Sequence, residues 1–270
     1  MADPSEIIRH AQDSEHFLLP FGKVIHIPQP FAAMGFHITK FMVLELVAAA
    51  LMLAIFVPLA RRVAAGRPPR GRFWNLLELM LIFIRDEVAR PSIGKHDADR
   101  FLPFLWHVFF FILILNLLGM VPSLGSPTAA MGVTGALALL AYVTILVAGI
   151  GKFGPVGYWV GQIPHMDVPL VMAVFLKPMI FLIEVGGMAI KHFILAVRLF
   201  ANIFAGHLVL AVIVGFIAET ARLWLWYGVM PASVLGATAL GFLELMVAFL
   251  QAYVFTFLTA LFIGMSVHQH

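Results

Sequence analysis

The stretch PLVMAVFLKPMIFLIEVGGMAIKHFILAVRLFANIFAGHLVLAVIVGFI, Pro169 to Ile217, decides how this 270-residue chain is read. It is almost wholly apolar, as lipid demands of a crossing segment, and a helix needs only about 20 such residues to span a hydrocarbon core of roughly 30 Å. Taken as one helix it would run roughly 74 Å at ~1.5 Å per residue, more than twice that thickness. Gly186-Gly187 offers a turn that would make it two spans. Yet Lys177, Glu184, Lys191 and Arg198 recur every seven residues straight through those glycines, and Asn202 follows Arg198 by four. On a helix these fall in one slowly drifting stripe. The spacing predicts a single long helix, tilted or bent, with one polar face.

The rest of the chain needs the same solvent. Apolar residues make up 62% and charged residues 11%, against roughly one-quarter charged in a soluble domain, and mean hydropathy is +0.99. Apolar stretches at 37–59, 101–121, 131–150, 169–217 and 232–266 predict an all-α polytopic membrane protein with five membrane elements, and none alternates like a barrel strand. Residues 73–90 are apolar in the middle but interrupted by Asn75, Glu78, Arg85, Asp86, Glu87 and Arg90, which suits a helix lying in the interface or re-entering it.

Three blocks follow: an N-terminal outside segment 1–36, peripheral transmembrane helices and the amphipathic segment over 37–168, and a tilted antiparallel hairpin over 169–270. Five arginines between Arg61 and Arg72, with no acid among them, place that loop on the cytoplasmic side or its organellar equivalent. Counting spans from there puts the N-terminus outside and the tail Ser266 to His270 inside. The first 36 residues lack the basic-then-apolar run of a cleaved signal peptide. The net charge of +3 comes from the cluster between Arg61 and Arg100, which has little aromatic interleaving and fits membrane flanks, not nucleic acid. With no cysteine, no disulfide framework or thiolate metal site is available.

Ionisable groups at bilayer depth cost at least ~2.5 kcal/mol each, so several on one helix must face protein, a partner or water. Lys177 and Lys191 can be read as snorkelling or structurally paired. Arg198 is different, because it lies 19 residues from the outer end at Ile217 and snorkelling serves groups near an interface. From the outer start of the last segment near 232, Glu244 lies 12 residues in and Gln251 lies 19 in. Antiparallel packing therefore brings Gln251 to the level of Arg198 and Glu244 near His207, which is 10 residues from Ile217. Glu184 sits 14 residues the other way, roughly 21 Å along the axis.

Histidine and glutamate, with reference pKa values of ~6.5 and ~4.3, exchange protons with water, whereas an arginine at ~12 or above does not. His207 with Glu244 can relay protons on the outer side and Glu184 on the inner, while Arg198 blocks a direct leak. Such a path stalls unless a partner with a membrane-buried carboxylate carries protons around the arginine.

The run Arg198-Leu199-Phe200-Ala201-Asn202-Ile203-Phe204-Ala205-Gly206-His207, with Glu244 and then Gln251-Ala252-Tyr253-Val254-Phe255, closely resembles the two signature regions of the a subunits of F-type ATP synthases. The five-element layout and the basic loop also resemble that family, whereas residues 1–36 and 122–168 match weakly. The resemblance implies a tilted hairpin against a rotating ring of c subunits. It implies Arg198 as the essential arginine facing the ring carboxylates. Asn202, His207, Glu244 and Gln251 then line an outer half-channel, and Glu184 an inner one. It further implies peripheral-stalk b subunits and other synthase subunits as partners, and an energy-transducing membrane. The bacterial plasma membrane comes first and the mitochondrial inner membrane is the alternative. No cofactor or metal is implied, and the subunit makes no ATP by itself.

In some bacterial relatives the acid stands at the position of His207 and the histidine at that of Glu244, so this chain has the exchanged, mitochondrial-like pair. The family's acid in the stretch Asn116 to Pro122 is absent, with Gly119 in its region, and no function is assigned there.

Two rival classes compete. A proton-coupled secondary transporter would often show repeated halves with paired broken helices, whereas no internal repeat is visible and the polar residues gather in the last 100. A membrane hydrolase is suggested only by eleven histidines. The chain has no His-Glu-x-x-His, no Gly-x-Ser-x-Gly and no cluster at metal-ligand spacing, His268 and His270 alone being weak.

Overall fold

Glycine, proline and charge set where the helices begin and end. The structure, a computed structural model, describes residues 14, 16–18, 24–29, 37–66, 71–121, 124–162, 170–220 and 224–268. Strands β1 (His16–Leu18) and β2 (Val24–His26) pair antiparallel, with His16 opposite His26. Helix α1 spans Lys40–Ala64 and α2 Arg72–Phe83. A π-helical turn over Ile84–Ala89 leads into α3 (Arg90–Ile93). Then come α4 (Ala98–Gly119), a 3-10 turn (Pro127–Ala129), α5 (Met131–Gly161), α6 (Leu170–Thr220) and α7 (Trp226–Val267). Five of these, α1, α4, α5, α6 and α7, are long and apolar enough to cross a membrane.

The long apolar stretch is one 51-residue helix, α6, unbroken at Gly186-Gly187. Segment 73–90 is helical but is not among the five candidate spans. Arg61 and Arg62 close α1, where basic side chains complement the carbonyl end of the helix dipole; Arg67 and Arg70 lie outside the described residues. Two features differ from the sequence reading. The short β ribbon lies in a segment for which no strand was expected, its strands being too short to show a period. The third membrane element does not stop near residue 150, because α5 continues to Gly161 across a break at Gly154, whose φ is +77°. Gly154 tolerates that left-handed backbone, and Pro155 restarts the helix where its missing N–H costs nothing.

The helices form two compact units. One comprises Met1–Pro69, Phe110–Thr134 and Arg198–Ala252. Its buried side chains include Phe41 and Leu44 of α1, Ile112 and Leu115 of α4, Leu199 and Ile203 of α6 and Ala248 of α7. The rings of Phe56 and Phe110 are centred 4.6 Å apart. The other unit comprises Arg70–Phe109, Gly135–Val197 and Tyr253–His270. There Ile84, Val88, Leu105, Ile145, Leu195 and Ile263 are buried, and Trp106 donates its indole N–H to the Leu81 carbonyl at 3.1 Å. α7 approaches α3 so closely that a Cβ on Gly264 would collide with the Ser92 carbonyl.

One polar contact in the second unit ties a loop to a helix. Lys152 donates to Asp97 Oδ2 at 2.7 Å, and His268 Nε2 lies 3.8 Å from the same oxygen. The Lys152 hydrogen bond holds the Asp97 carboxyl below its ordinary value of 3.8. Because the folded pKa is depressed, the contribution is full above the unfolded value and is lost as pH falls through the lower folded one. Both side chains are partly exposed, so we expect a coupling energy of only about 0.2–1 kcal/mol between Asp97→Asn and Lys152→Gln. Thermal unfolding of the two single variants and the double variant at pH 7 measures it, and strictly additive losses would remove the pair from the account.

Candidate functional site

The first unit gathers most of the residues picked out by sequence. Along α6, Leu199 and Ile203 are fully buried while Arg198, Ala201, Asn202 and Ala205 are exposed, so one strip of the helix carries an arginine, an amide and two small residues. Among the described residues Arg198 has no hydrogen bond or ion pair. An unpaired guanidinium on a membrane helix is costly, which marks the strip as facing a partner or water.

Asn202 Nδ2 donates to Gln251 Oε1 at 2.9 Å, joining α6 to α7 through their amides. Gln251 is 1% exposed, and its Nε2 has no acceptor among the described residues. The expected register thus holds with one adjustment: Gln251 meets Asn202, one turn along from Arg198.

Glu244 is 7% exposed and lies against Gly206, where a Cβ would come within 2.6 Å of its Oε1. A side chain at that position would have to displace the carboxyl. Gly206 adjoins His207, so the predicted pairing of levels is present in the backbone; the His207 side chain lies outside the described residues. Glu184, half-buried, belongs to the second unit, as do the exposed Lys177 and Lys191, the latter with its ammonium 5.7 Å from the centre of the Phe262 ring.

Three further residues were given no role by the sequence. Gly206 is one. Asn116 is another: 1% exposed, it donates from Nδ2 to the Ala248 carbonyl at 3.2 Å and accepts from Thr128 Oγ1 at 2.8 Å. Thr128 in turn lies 2.9 Å from Ser126 Oγ. This buried polar group fixes α7 between Glu244 and Gln251. A Cβ on Gly119 would collide with Ser126, which is why no side chain stands there. The signal was a lone asparagine in an apolar run. The third is His192 in the second unit, 4% exposed, its Nδ1 donating to the Met188 carbonyl at 2.8 Å and its ring between Tyr142 and Phe262.

Chemically, the first unit sets a fixed positive charge, a pair of bonded amides and a buried carboxyl in sequence along two antiparallel helices. Such an order can pass protons at one end and resist them at the other.

The chain matches the family model described as ATP synthase A chain over residues 42–264. It is similar to the ATP synthase subunit a of Myxococcus xanthus (strain DK1622), 43% identical over 86% of this chain and 75% of that one. The ATP synthase subunit a of Chloroherpeton thalassium (strain ATCC 35110 / GB-78) is 38% identical over 98% and 78% respectively. That of Anaeromyxobacter dehalogenans (strain 2CP-C) is 38% identical over 93% of this chain, which spans 61% of that longer protein.

Proposed function

The chain belongs to the ATP synthase A chain family, the proton-channel component of the F-type ATP synthase, and on that premise we propose that its two long helices form two offset half-channels divided by Arg198. The single observation that supports this most is the Asn202–Gln251 hydrogen bond of 2.9 Å. It locks α6 and α7 with Arg198 exposed on one side and Glu244 buried a few turns away.

Protons enter from the outer side through His207 and Glu244 and reach a carboxylate of a rotating c ring beside Arg198. The strip of Arg198, Ala201, Asn202 and Ala205 lets a partner helix approach closely, since small residues bring backbones together in lipid. The ring carboxylate becomes neutral by accepting the proton and travels through lipid in that form, because a bare charge there is expensive. On returning it releases the proton toward Glu184, the inner acid, and Arg198 receives the carboxylate again as an ion. The membrane potential supplies about 2.3 kcal/mol per charge per 100 mV, so flow of protons drives rotation. Peripheral-stalk b subunits hold this subunit still against the ring, and the chain itself performs no bond chemistry.

The outer relay is tested by His207→Ala in the assembled complex. With Glu244 retained, we expect proton flux from the outer side to fall by about tenfold or more, the low end of what a positioned proton-transfer group contributes. Unchanged flux in vesicles under an imposed potential defeats the pairing of His207 with Glu244.

A further inference from the structure

In the second unit, the end of α5 and the start of α6 flank an open, shallow groove of about 650 Å³ whose walls include Pro155, Val156, Trp159, Lys177, Pro178 and Phe181. We infer that this groove binds one anionic diacyl phospholipid, with Lys177 on the headgroup phosphate and the aromatic and proline walls along an acyl chain.

The groove exists because α5 breaks at Gly154 and restarts at Pro155, giving its last turns a new direction. Trp159 and Phe181 meet edge to face, with ring centres 6.1 Å apart, and form its wall. The surrounding surface is apolar enough to face lipid: Val156 and Leu182 are each 74% exposed. Among the described residues a single charge, the positive one of Lys177, lines it. Lys177 forms no ion pair or hydrogen bond among the described residues, and the Trp159 indole N–H has no acceptor among them. Lys177 stands seven residues into α6, roughly 10 Å from its start, which is headgroup depth for a helix beginning at an interface.

A cation and an indole donor above an apolar groove match a phosphate bearing acyl chains. A zwitterionic headgroup fits less well, since its ammonium would find no carboxylate among the described lining residues. The span count made from the sequence assigns this end of α6 to the side of the basic loop, where anionic lipid attracts basic residues.

The assembled complex is reconstituted in phosphatidylcholine vesicles containing rising fractions of phosphatidylglycerol with dibrominated chains, and the quenching of Trp159 is read as wild type minus Trp159→Phe. We expect quenching to saturate at a phosphatidylglycerol fraction well below that needed for dibrominated phosphatidylcholine. In Lys177→Gln the midpoint moves up about fivefold, the effect of one basic residue at an anionic surface, while Lys177→Arg keeps the preference. Lys95→Gln, exposed and away from the groove, leaves it unchanged. Equal curves for the two lipids, or a preference surviving in Lys177→Gln, overturn the site. So does displacement by millimolar inorganic phosphate, or a Trp159 that neither lipid quenches because a protein subunit covers the groove.

Discussion

We expect Arg198→Ala to abolish ATP-driven proton pumping by the assembled complex while leaving membrane insertion and subunit assembly intact. The physical case rests on where the charge sits. Arg198 lies far from either end of α6, on the exposed strip, without a partner among the described residues. Holding a cation there costs at least ~2.5 kcal/mol even on lenient insertion scales. Removing it should therefore stabilise the helix in lipid, not unfold it, so loss of function cannot be put down to loss of fold.

On the half-channel reading the arginine has two duties. It keeps an approaching ring carboxylate ionised, and it prevents protons from passing directly between the outer and inner acids. Alanine removes both, so pumping falls to background and passive proton leak through the membrane sector rises. Arg198→Lys separates the duties, since an ammonium keeps the charge but can lose its proton when desolvated, whereas a guanidinium does not. The lysine variant should block leak in part and still fail to pump at the normal rate. Fluorescence-quench assays in inverted vesicles read both, and pumping by the alanine variant at the wild-type rate would defeat the assignment.

How much of this was legible in the sequence depended on whether a residue carries its own signal. Arg198, Glu244 and Gln251 are polar groups in apolar segments, and lipid makes such groups conspicuous; counting inward from the segment ends then gave the register to within one turn. The unbroken α6 was legible for the same reason, because a seven-residue polar period ran through Gly186-Gly187. The continuation of α5 was not, since Gly154-Pro155 spells a break and the backbone does break there; only packing on both sides makes the two pieces one element. Gly206 stood in the signature run without any sign of its role. A glycine advertises nothing, and its role is defined by a carboxyl on another helix 38 positions away. Asn116 had a signal, a buried amide, but its acceptor is a main-chain carbonyl at Ala248, which no sequence displays.

That hidden glycine yields the second large effect. Gly206→Ala places a methyl group where Glu244 Oε1 now lies 2.6 Å away, with Cδ at 3.3 Å. The carboxyl must rotate or withdraw, which carries Oε1 out of the position it now holds against Gly206. A displacement near 1 Å in a positioned group can cost on the order of a hundredfold in rate, so outer-side proton flux in Gly206→Ala should fall by at least about tenfold. Folding should survive, since alanine favours a helix over glycine by about 1 kcal/mol and offsets part of the strain. The decisive variant is the double one. Glu244→Asp alone shortens the side chain by one methylene and misplaces the carboxyl, lowering flux; combined with Gly206→Ala, it clears the space that the new methyl needs. The double variant should therefore pump better than the product of the two single defects predicts, a positive coupling that a merely destabilised helix would not produce. Losses that simply multiply would mean Gly206 serves helix packing alone, and the carboxyl of Glu244 would have to be placed in the proton path on other grounds.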